Sequence, residues 1–461
     1  MIIVPHIQNK KYAVLGLGKS GLATAASLRQ SGAQVFVWDD KEASRAEAEK
    51  SGYALCDFTT ADVSEFEALL LSPGIPHTYP APHPAVVCFR AAQVPIIGDI
   101  ELLFRACPDA TYIGITGTNG KSTTTALIGH ILQQAGRKVQ VGGNLGTPVL
   151  SFEALDKDGI YVLELSSYQL ELIEHNLLNV VLLLNITADH LSRHGGMSGY
   201  VAAKKRIIRA EAPQTLILGV DEAETAALVH EASTNPQVKL VPLSVKKDMP
   251  IGIEAKAGAL KINGQKILDL ESLPHLPGAH NAQNIGAAFA ACRAVGLQDG
   301  EIIRGLTTFP GLAHRQQCIA EINGIRFIND SKATNADAAE KALLCYKDIY
   351  WIIGGRPKEG GLQGLEHYVA RIRCAFIIGT EATDDFSAWC AANNVPYIIS
   401  GTLDKAVAAA ADQAVRDNIK DAVVLLSPAC ASWDQFASFE ARGDQFTACV
   451  RTLSKGDLCR H

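Results

Sequence analysis

Residues 114–123 read Gly114-Ile115-Thr116-Gly117-Thr118-Asn119-Gly120-Lys121-Ser122-Thr123. The run follows an apolar stretch that reads as a strand, 111–116, and opens a helical pattern, 124–134. Glycines at such a turn let backbone N–H groups converge on phosphate oxygens, and the helix N-terminus adds its dipole. Lys121 is placed to reach the β- and γ-phosphates of a nucleoside triphosphate, and the Ser122 hydroxyl to ligate Mg²⁺. The strict consensus puts a glycine where Ile115 stands, so the loop is a variant. A plain glycine-rich turn is the weaker reading, because Gly-Lys-Ser-Thr sits between strand and helix.

Ligands of a parallel α/β sheet collect at the carboxyl ends of its strands. Two more such ends carry suitable groups: Glu164-Leu-Ser166-Ser167-Tyr168-Gln169 after the run 160–165, and Asn185-Ile-Thr187-Ala-Asp189-His190 after 180–185. Glu164 could share a Mg²⁺ with Ser122, since magnesium takes carboxylate and phosphate oxygens. Taken singly, Glu164 and His190 read as ordinary structural residues; three loaded strand ends shift the balance. Asn144, between Gly143 and Gly146, reads equally as a turn asparagine with positive φ or as a ligand. Lys204, in Lys204-Lys205-Arg206, reads by default as part of a solvated basic helix face. Gly16-Leu-Gly18-Lys-Ser-Gly21, with Asp39 after the next strand, fits a dinucleotide fingerprint and could take NAD or the nucleotide end of a substrate.

The elements that must position these groups alternate strand-like and helix-like runs, which points to parallel α/β sheets. Strands are expected at 12–16, 34–38 and 68–71, then 111–116, 160–165 and 180–185, then 326–329, 349–353, 375–378, 397–399 and 422–426. Helices are expected at 281–295 and 299–306. A length of 461 residues allows about three domains at ~150 residues each. The expected division is a Rossmann-like N-terminal domain, 1–98, a central P-loop ATPase-like parallel sheet, 99–311, and a Rossmann-like C-terminal domain, 312–461.

Composition narrows the function class. A formal net charge of -6 argues against a broad nucleic-acid surface. The 11 cysteines form no C-x-x-C pair, which fits free thiols in a reducing cytoplasm better than disulfides or a zinc ribbon. No signal-peptide pattern opens the chain, and the longest apolar run, 177–186, falls short of the ~20 residues that span a bilayer. A cytoplasmic monomer without membrane insertion is expected.

Taken together, GTNGKST (117–123), ELSSYQLE (164–171), NITADH (185–190), HNAQN (280–284), HR (314–315), NDSKATN (329–335) and SPACASWDQF (427–436) resemble the Mur ligase family, and within it the glutamate-adding branch. The resemblance implies that ATP activates the carboxylate of UDP-N-acetylmuramoyl-L-alanine as an acyl phosphate, which the amine of D-glutamate then attacks, in cytoplasmic peptidoglycan precursor synthesis. It implies ATP contacts from Gly117, Thr118, Asn119, Gly120, Lys121, Ser122, Thr123, Asn281, Asn284, Arg315 and Asp330. It implies one Mg²⁺ at Ser122 and Glu164 and a second at His190 and a carbamylated Lys204, with Asn144 and Ser166 near the reacting carboxylate. Gly18, Asp39, Ser72 and Gly74 would meet the UDP part in place of NAD. Lys332, Thr334, Lys358, Ser432 and Phe439 would form the glutamate pocket. Read without the resemblance, Ser432 is the N-cap of the following helix, and His280 and Asn281 are an N-cap and its partner. Residues 193–198, with Gly195-Gly196, depart from the family pattern. The competing reading is a related ligase that adds L-glutamate or another amino acid to a UDP-muramoyl precursor; the C-terminal motif argues against a folate substrate.

Overall fold

The computed structural model describes residues 1–144, 146–208, 212–256, 258–273, 276, 278–357 and 360–457. The chain folds as two compact units, residues 1–273 with 279–309, and residues 274–278 with 310–461.

The first unit holds two sheets. The smaller has five parallel strands in the order Ala54–Leu55, Gln34–Trp38, Lys11–Leu15, Ala68–Leu71, Ile96–Ile97. Alternate residues of its central strands face opposite layers: Ala13, Leu15, Leu69 and Leu71 meet Phe58, Phe66 and Phe89, whose rings pack edge to face. Tyr12, Val14 and Leu70 pack on the other side, in a core continuous with that of the larger sheet.

The larger sheet has nine strands. Val180–Leu183, Thr111–Thr116, Gly159–Glu164 and Lys138–Gly143 are neighbours in that order and run parallel. Tyr112, Ile113, Ile115, Val162 and Val181 are fully buried on both faces of this centre, which is why these strands read as unbroken apolar runs. The neighbouring strand ends expected to carry ligands are therefore adjacent in space.

A parallel sheet throughout was the expectation, and two segments depart from it. Ile253–Lys256, Ala259–Ile262 and Gln265–Asp269 form an antiparallel meander at one edge of the large sheet. In the second unit, Gln317–Ile322 lies antiparallel to Ile325–Asn329. The second turn of the meander and the hairpin of the second unit run through Asn-Gly pairs, Asn263-Gly264 and Asn323-Gly324, with positive φ at each residue. A two-residue turn with positive φ at both positions joins antiparallel strands only, and Asn-Gly adopts it at least cost.

The second unit carries a six-stranded sheet in the order 317–322, 325–329, 423–426, 349–354, 372–378, 397–401. Apart from its antiparallel edge strand, the pairs are parallel. Tyr350, Trp351, Val424 and Leu425 are completely buried between its helical layers. The described cysteines are all free thiols, and no described helix is long and apolar enough to cross a membrane.

Candidate active site

The helix after the glycine run begins at Lys121, earlier than the pattern suggested, so Lys121, Ser122 and Thr123 form its first turn. Gly120 caps it at φ +84°, and a Cβ there would lie 2.4 Å from Asn284 Oδ1. Gly117 sits at φ +155°. Side chains from neighbouring elements brace the loop. Asn119 N–H donates to Asn185 Oδ1 at 2.8 Å, Thr118 N–H donates to the Asn185 carbonyl at 3.0 Å, and Asn185 Nδ2 donates to Gln283 Oε1 at 2.8 Å. Thr124 Oγ1 donates to Asn284 Oδ1 at 3.2 Å, and Asn284 Nδ2 donates to Asn281 Oδ1 at 3.0 Å. Asn281 and Asn284 therefore share a face turned to the loop. That helix begins at Ala279, so His280 and Asn281 lie within it rather than forming its cap.

Lys121 Nζ donates to the carbonyls of Gly117 and Thr118, each at 2.9 Å. Lys204 Nζ, reaching in from the helix Met197–Lys205, donates to the same Gly117 carbonyl at 2.9 Å and stands 4.7 Å from the centre of the Tyr200 ring. Lys204 is 1% exposed, so the solvated basic face expected from its neighbours is not where it lies. Burial and the charge of Lys121 push its ammonium down to about 7, against a smaller upward pull from Asp189. The structure thus aims two lysines at the turn expected to cradle phosphate.

Glu164 lies across from Ile115 in the sheet register, at the adjoining strand end. Its Oε1 accepts from Asn144 Nδ2 at 2.8 Å, while Oε2 is buried without a hydrogen-bond partner. Leaving a buried carboxylate oxygen unpaired costs ~1–3 kcal/mol, a cost that a hard cation coordinated there would offset. Asn144 does not supply the positive φ of its turn; Gly143 and Gly146 do, which frees its amide for Glu164. Ser166 caps the short helix Ser167–Leu170 through a reciprocal pair with Gln169. His190 sits at φ 51° as the cap of Leu191–His194, half exposed, with Asp189 at 3.4 Å.

The segment after His190 carries polar contacts that sequence reasoning missed. Arg193 donates from Nη1 to the Tyr79 carbonyl at 3.1 Å and from Nη2 to the Ile75 carbonyl at 2.7 Å, with its guanidinium carbon 5.0 Å from the centre of the Tyr168 ring. His194 Nε2 lies 2.9 Å from Ser167 Oγ, and its Nδ1 lies 3.4 Å from Glu171 Oε1. His77 Nε2 is 3.7 Å from Glu171 Oε2. Burial foremost, and nearby arginines, push both histidines down to about 4, and burial raises the Glu171 carboxyl. Only the unusual Gly195-Gly196 pair hinted at this in the sequence: a Cβ on Gly195 would lie 2.7 Å from the Tyr79 ring.

In the smaller sheet, Asp39 and Ser72 brace the first glycine turn. Leu17 N–H donates to Asp39 Oδ2 at 2.7 Å, and Ser72 Oγ donates to the Gly16 carbonyl at 2.9 Å. Gly18 caps the helix Lys19–Gln30 and has open space where a Cβ would stand. Gly74 is equally open. Asp40 is engaged by His83 at 3.2 Å.

In the second unit, Asp330 is buried and accepts from Ser427 Oγ at 2.8 Å and from Gln316 N–H at 3.1 Å. Burial pushes its carboxyl up to about 7 despite these bonds and the charge of Arg315. Arg442, 1% exposed, donates to Ser331 Oγ at 3.0 Å, to the Ser331 carbonyl at 2.8 Å and to the Cys430 carbonyl at 3.1 Å. It binds the Asp330–Lys332 stretch to the Cys430–Ser432 stretch. Lys332 Nζ stands 5.5 Å from the centre of the Phe439 ring. Thr334 lies just before the helix Ala336–Cys345, which Asn335 caps. Ser432 opens an isolated turn rather than a helix; the helix that follows starts at Phe439, and Ser438 Oγ accepts from its Ala441 N–H. Lys358 lies outside the described residues.

With this geometry in hand, comparison with known proteins is direct. Residues 10–98 match the Mur ligase MurD-like N-terminal domain, and residues 115–292 the Mur ligase middle domain. A UDP-N-acetylmuramoylalanine–D-glutamate ligase of Paramagnetospirillum magneticum is 50% identical over 99% of both chains. One from Rhodospirillum rubrum is 51% identical over 96% of this chain and 94% of its own. Among solved structures, UDP-N-acetylmuramate–alanine ligase of Thermotoga maritima shares the fold at TM-score 0.58 and 17% identity, over 96% of this chain and 99% of that one. MurF of Acinetobacter baumannii does so at TM-score 0.56 and 17% identity, over 96% and 94%. Full-length identity near one half, on a chain that presents two lysines and an unpaired carboxylate oxygen around a phosphate loop, makes this chain a member of the Mur ligase family, on the UDP-N-acetylmuramoylalanine–D-glutamate ligase branch.

Proposed function

We propose that this chain is the ATP-dependent enzyme that joins D-glutamate to UDP-N-acetylmuramoyl-L-alanine for peptidoglycan synthesis. The observation that carries the reading is the convergence of Lys121 and Lys204 on the Gly117 carbonyl, beside the buried, half-satisfied Glu164. A carboxylate is a poor electrophile, and a phosphoryl group turns its oxygen into a leaving group. The precursor's carboxylate oxygen bonds to the γ-phosphorus as the bond to ADP breaks. The glutamate amine then attacks the acyl carbon, loses its proton, and phosphate departs from the tetrahedral intermediate to leave an amide.

The chain's own part is positioning and charge compensation. Backbone amides of residues 117–123 cradle the triphosphate, and Lys121 leaves its loop carbonyls to meet the β/γ-phosphates. Asn281, Asn284, Arg315 and Asp330 serve the nucleotide. Asn144 and Ser166 orient the reacting carboxylate; Gly18, Asp39, Ser72 and Gly74 hold the UDP end. Lys332, Thr334, Lys358, Ser432 and Phe439 receive the glutamate. Ser122 and Glu164 would hold one Mg²⁺, and His190 with a carbamylated Lys204 a second. Magnesium bound there supplies positive charge to the transferring phosphoryl oxygens. Lys204 suits carbamylation because burial lowers its pKa to about 7: the neutral amine adds CO₂, releases a proton and becomes an anionic oxygen ligand. Functionally, residues 1–98 take the UDP precursor, 99–311 the nucleotide and 312–461 the amino acid, in a cytoplasmic monomer.

The test is phosphate release by the purified protein with ATP, Mg²⁺, UDP-N-acetylmuramoyl-L-alanine and a panel of amino acids that includes both glutamate enantiomers. Product with D-glutamate alone supports the reading. Equal or better use of L-glutamate, or no product at all, sinks it.

A further inference from the structure

Ser72 follows the strand Ala68–Leu71 and braces the first glycine turn through the Gly16 carbonyl. The chain then runs on through Ile75, His77 and Tyr79 to meet the segment that follows His190. There Arg193 donates to the Ile75 and Tyr79 carbonyls, and Glu171 faces His77. Gly195 admits the Tyr79 ring where any Cβ would clash. From the other side, His194 joins Ser167, next to Ser166. One short arm of backbone therefore links the turn that would hold the UDP end to the turn that carries His190. A precursor bound at both ends must span the same interval.

We propose that Arg193 is a positioning residue for the ligation: it clasps the arm 75–79 to the turn 191–194 and so fixes the span between the UDP end of the precursor and its reacting carboxylate. The inference rests on the ligase reading above. A buried guanidinium is suited to the task. Its planar fork reaches two carbonyls at once, and its face lies over an aromatic ring. Lysine in its place offers a compact point charge on a flexible stem, without the planar fork that fixes two carbonyls in one geometry. Neither carbonyl belongs to a residue assigned to the nucleotide, so loss of the clasp leaves the phosphate loop and its bracing intact.

The experiment compares Arg193→Lys, Arg193→Ala and Gly195→Ala with the wild type. Gly195→Ala disturbs the clasp from the Tyr79 side while Arg193 stays in place. Each is assayed for kcat, for KM of UDP-N-acetylmuramoyl-L-alanine, and for binding of an ATP analogue without precursor. A misplaced reacting group costs up to ~10²-fold in rate. The expected result is a precursor KM raised roughly ten-fold, kcat lowered by roughly ten-fold or more, and analogue affinity unchanged. Arg193→Lys should fall between wild type and Arg193→Ala, and Gly195→Ala should show the same selective loss. Amide hydrogen exchange over 75–79 should rise in all three variants. Should Arg193→Ala fail to fold, Arg193→Lys and Gly195→Ala decide the matter. If precursor KM and kcat stay at wild-type values in those two, or if analogue affinity falls as far as precursor affinity, the proposal is overturned. A wild-type protein that makes no product would instead strike the ligase reading, and is seen before any variant is compared.

Discussion

The phosphate loop and the platform around Asp330 are both expected to meet ATP, and they are built in opposite ways. The loop is backbone held open by glycines, with Gly117 and Gly120 at positive φ and two lysines turned on its carbonyls. The platform is a buried mesh. Ser427 bonds Asp330 and Arg442 bonds Ser331, each pair more than ninety residues apart in sequence. The loop stores its function in local conformation and mobile charge; the platform stores it in long-range hydrogen bonds and suppressed charge. Substitutions in the loop should therefore cost chemistry with little stability, and those in the platform should change stability and its pH dependence.

The sharpest way to break that contrast is Lys121→Ala. Its ammonium donates to the Gly117 and Thr118 carbonyls of its own loop, so the variant should keep the wild-type circular dichroism and melting temperature. Phosphate release should fall roughly 10³-fold or more, the scale set by removing a cation from a phosphoryl-transfer site. Near-normal turnover would remove the nucleotide from this loop. Lys204→Ala comes next. Deleting the side chain buried against the Gly117 carbonyl costs chemistry first, by about 10²-fold. Bicarbonate or a short-chain acid should restore part of the activity, because a diffusible carboxylate can take the place of the lost oxygen ligand. Full activity without any additive would end the carbamate assignment.

The same contrast explains what could be read from the sequence. Gly117, Gly120, Lys121 and Ser122 were legible because a strand-to-helix glycine turn declares its geometry within ten residues. Glu164 and Asn185 followed because a parallel sheet sets its ligands at strand ends, and the register places Glu164 beside Ile115. Lys204 was hidden: its neighbours Lys205 and Arg206 suggest a wet face, and only the packing of Tyr200 and the loop shows it buried. Arg442 was not legible at all, and for Arg193 and His194 the adjoining Gly195-Gly196 pair was the one hint. Their partners, Tyr79, Ser167 and Ser331, are set by tertiary contact, and nothing in local spacing marks them. Two of the antiparallel turns were readable in principle, since Asn263-Gly264 and Asn323-Gly324 are strong turn signals, but the alternating α/β pattern around them overrode the local cue.

The smallest expected effect tests the platform. Burial raises the Asp330 carboxyl from its ordinary value of 3.8 to about 7, so between those values the folded chain keeps a proton that the unfolded chain has lost. The stability it contributes is whole below pH ~4 and is lost as pH rises through ~7, with a slope of at most about 1.4 kcal/mol per pH unit. Asp330→Asn is a neutral mimic of the protonated acid and should flatten this slope while leaving stability at low pH nearly unchanged. Three of the four tryptophans, Trp351, Trp389 and Trp433, lie in the second unit, so denaturant unfolding followed by tryptophan fluorescence reports mainly on it. The quantity to compare is the difference in unfolding free energy between wild type and Asp330→Asn at pH 4.5 and pH 7.5. That difference cancels the other titrating groups, including Asp434, whose carboxyl burial also raises. A difference that does not change between the two pH values means Asp330 is ionised in the folded chain. The platform would then hold a full negative charge against Ser427 and Gln316, and it would no longer be the neutral counterpart of the loop.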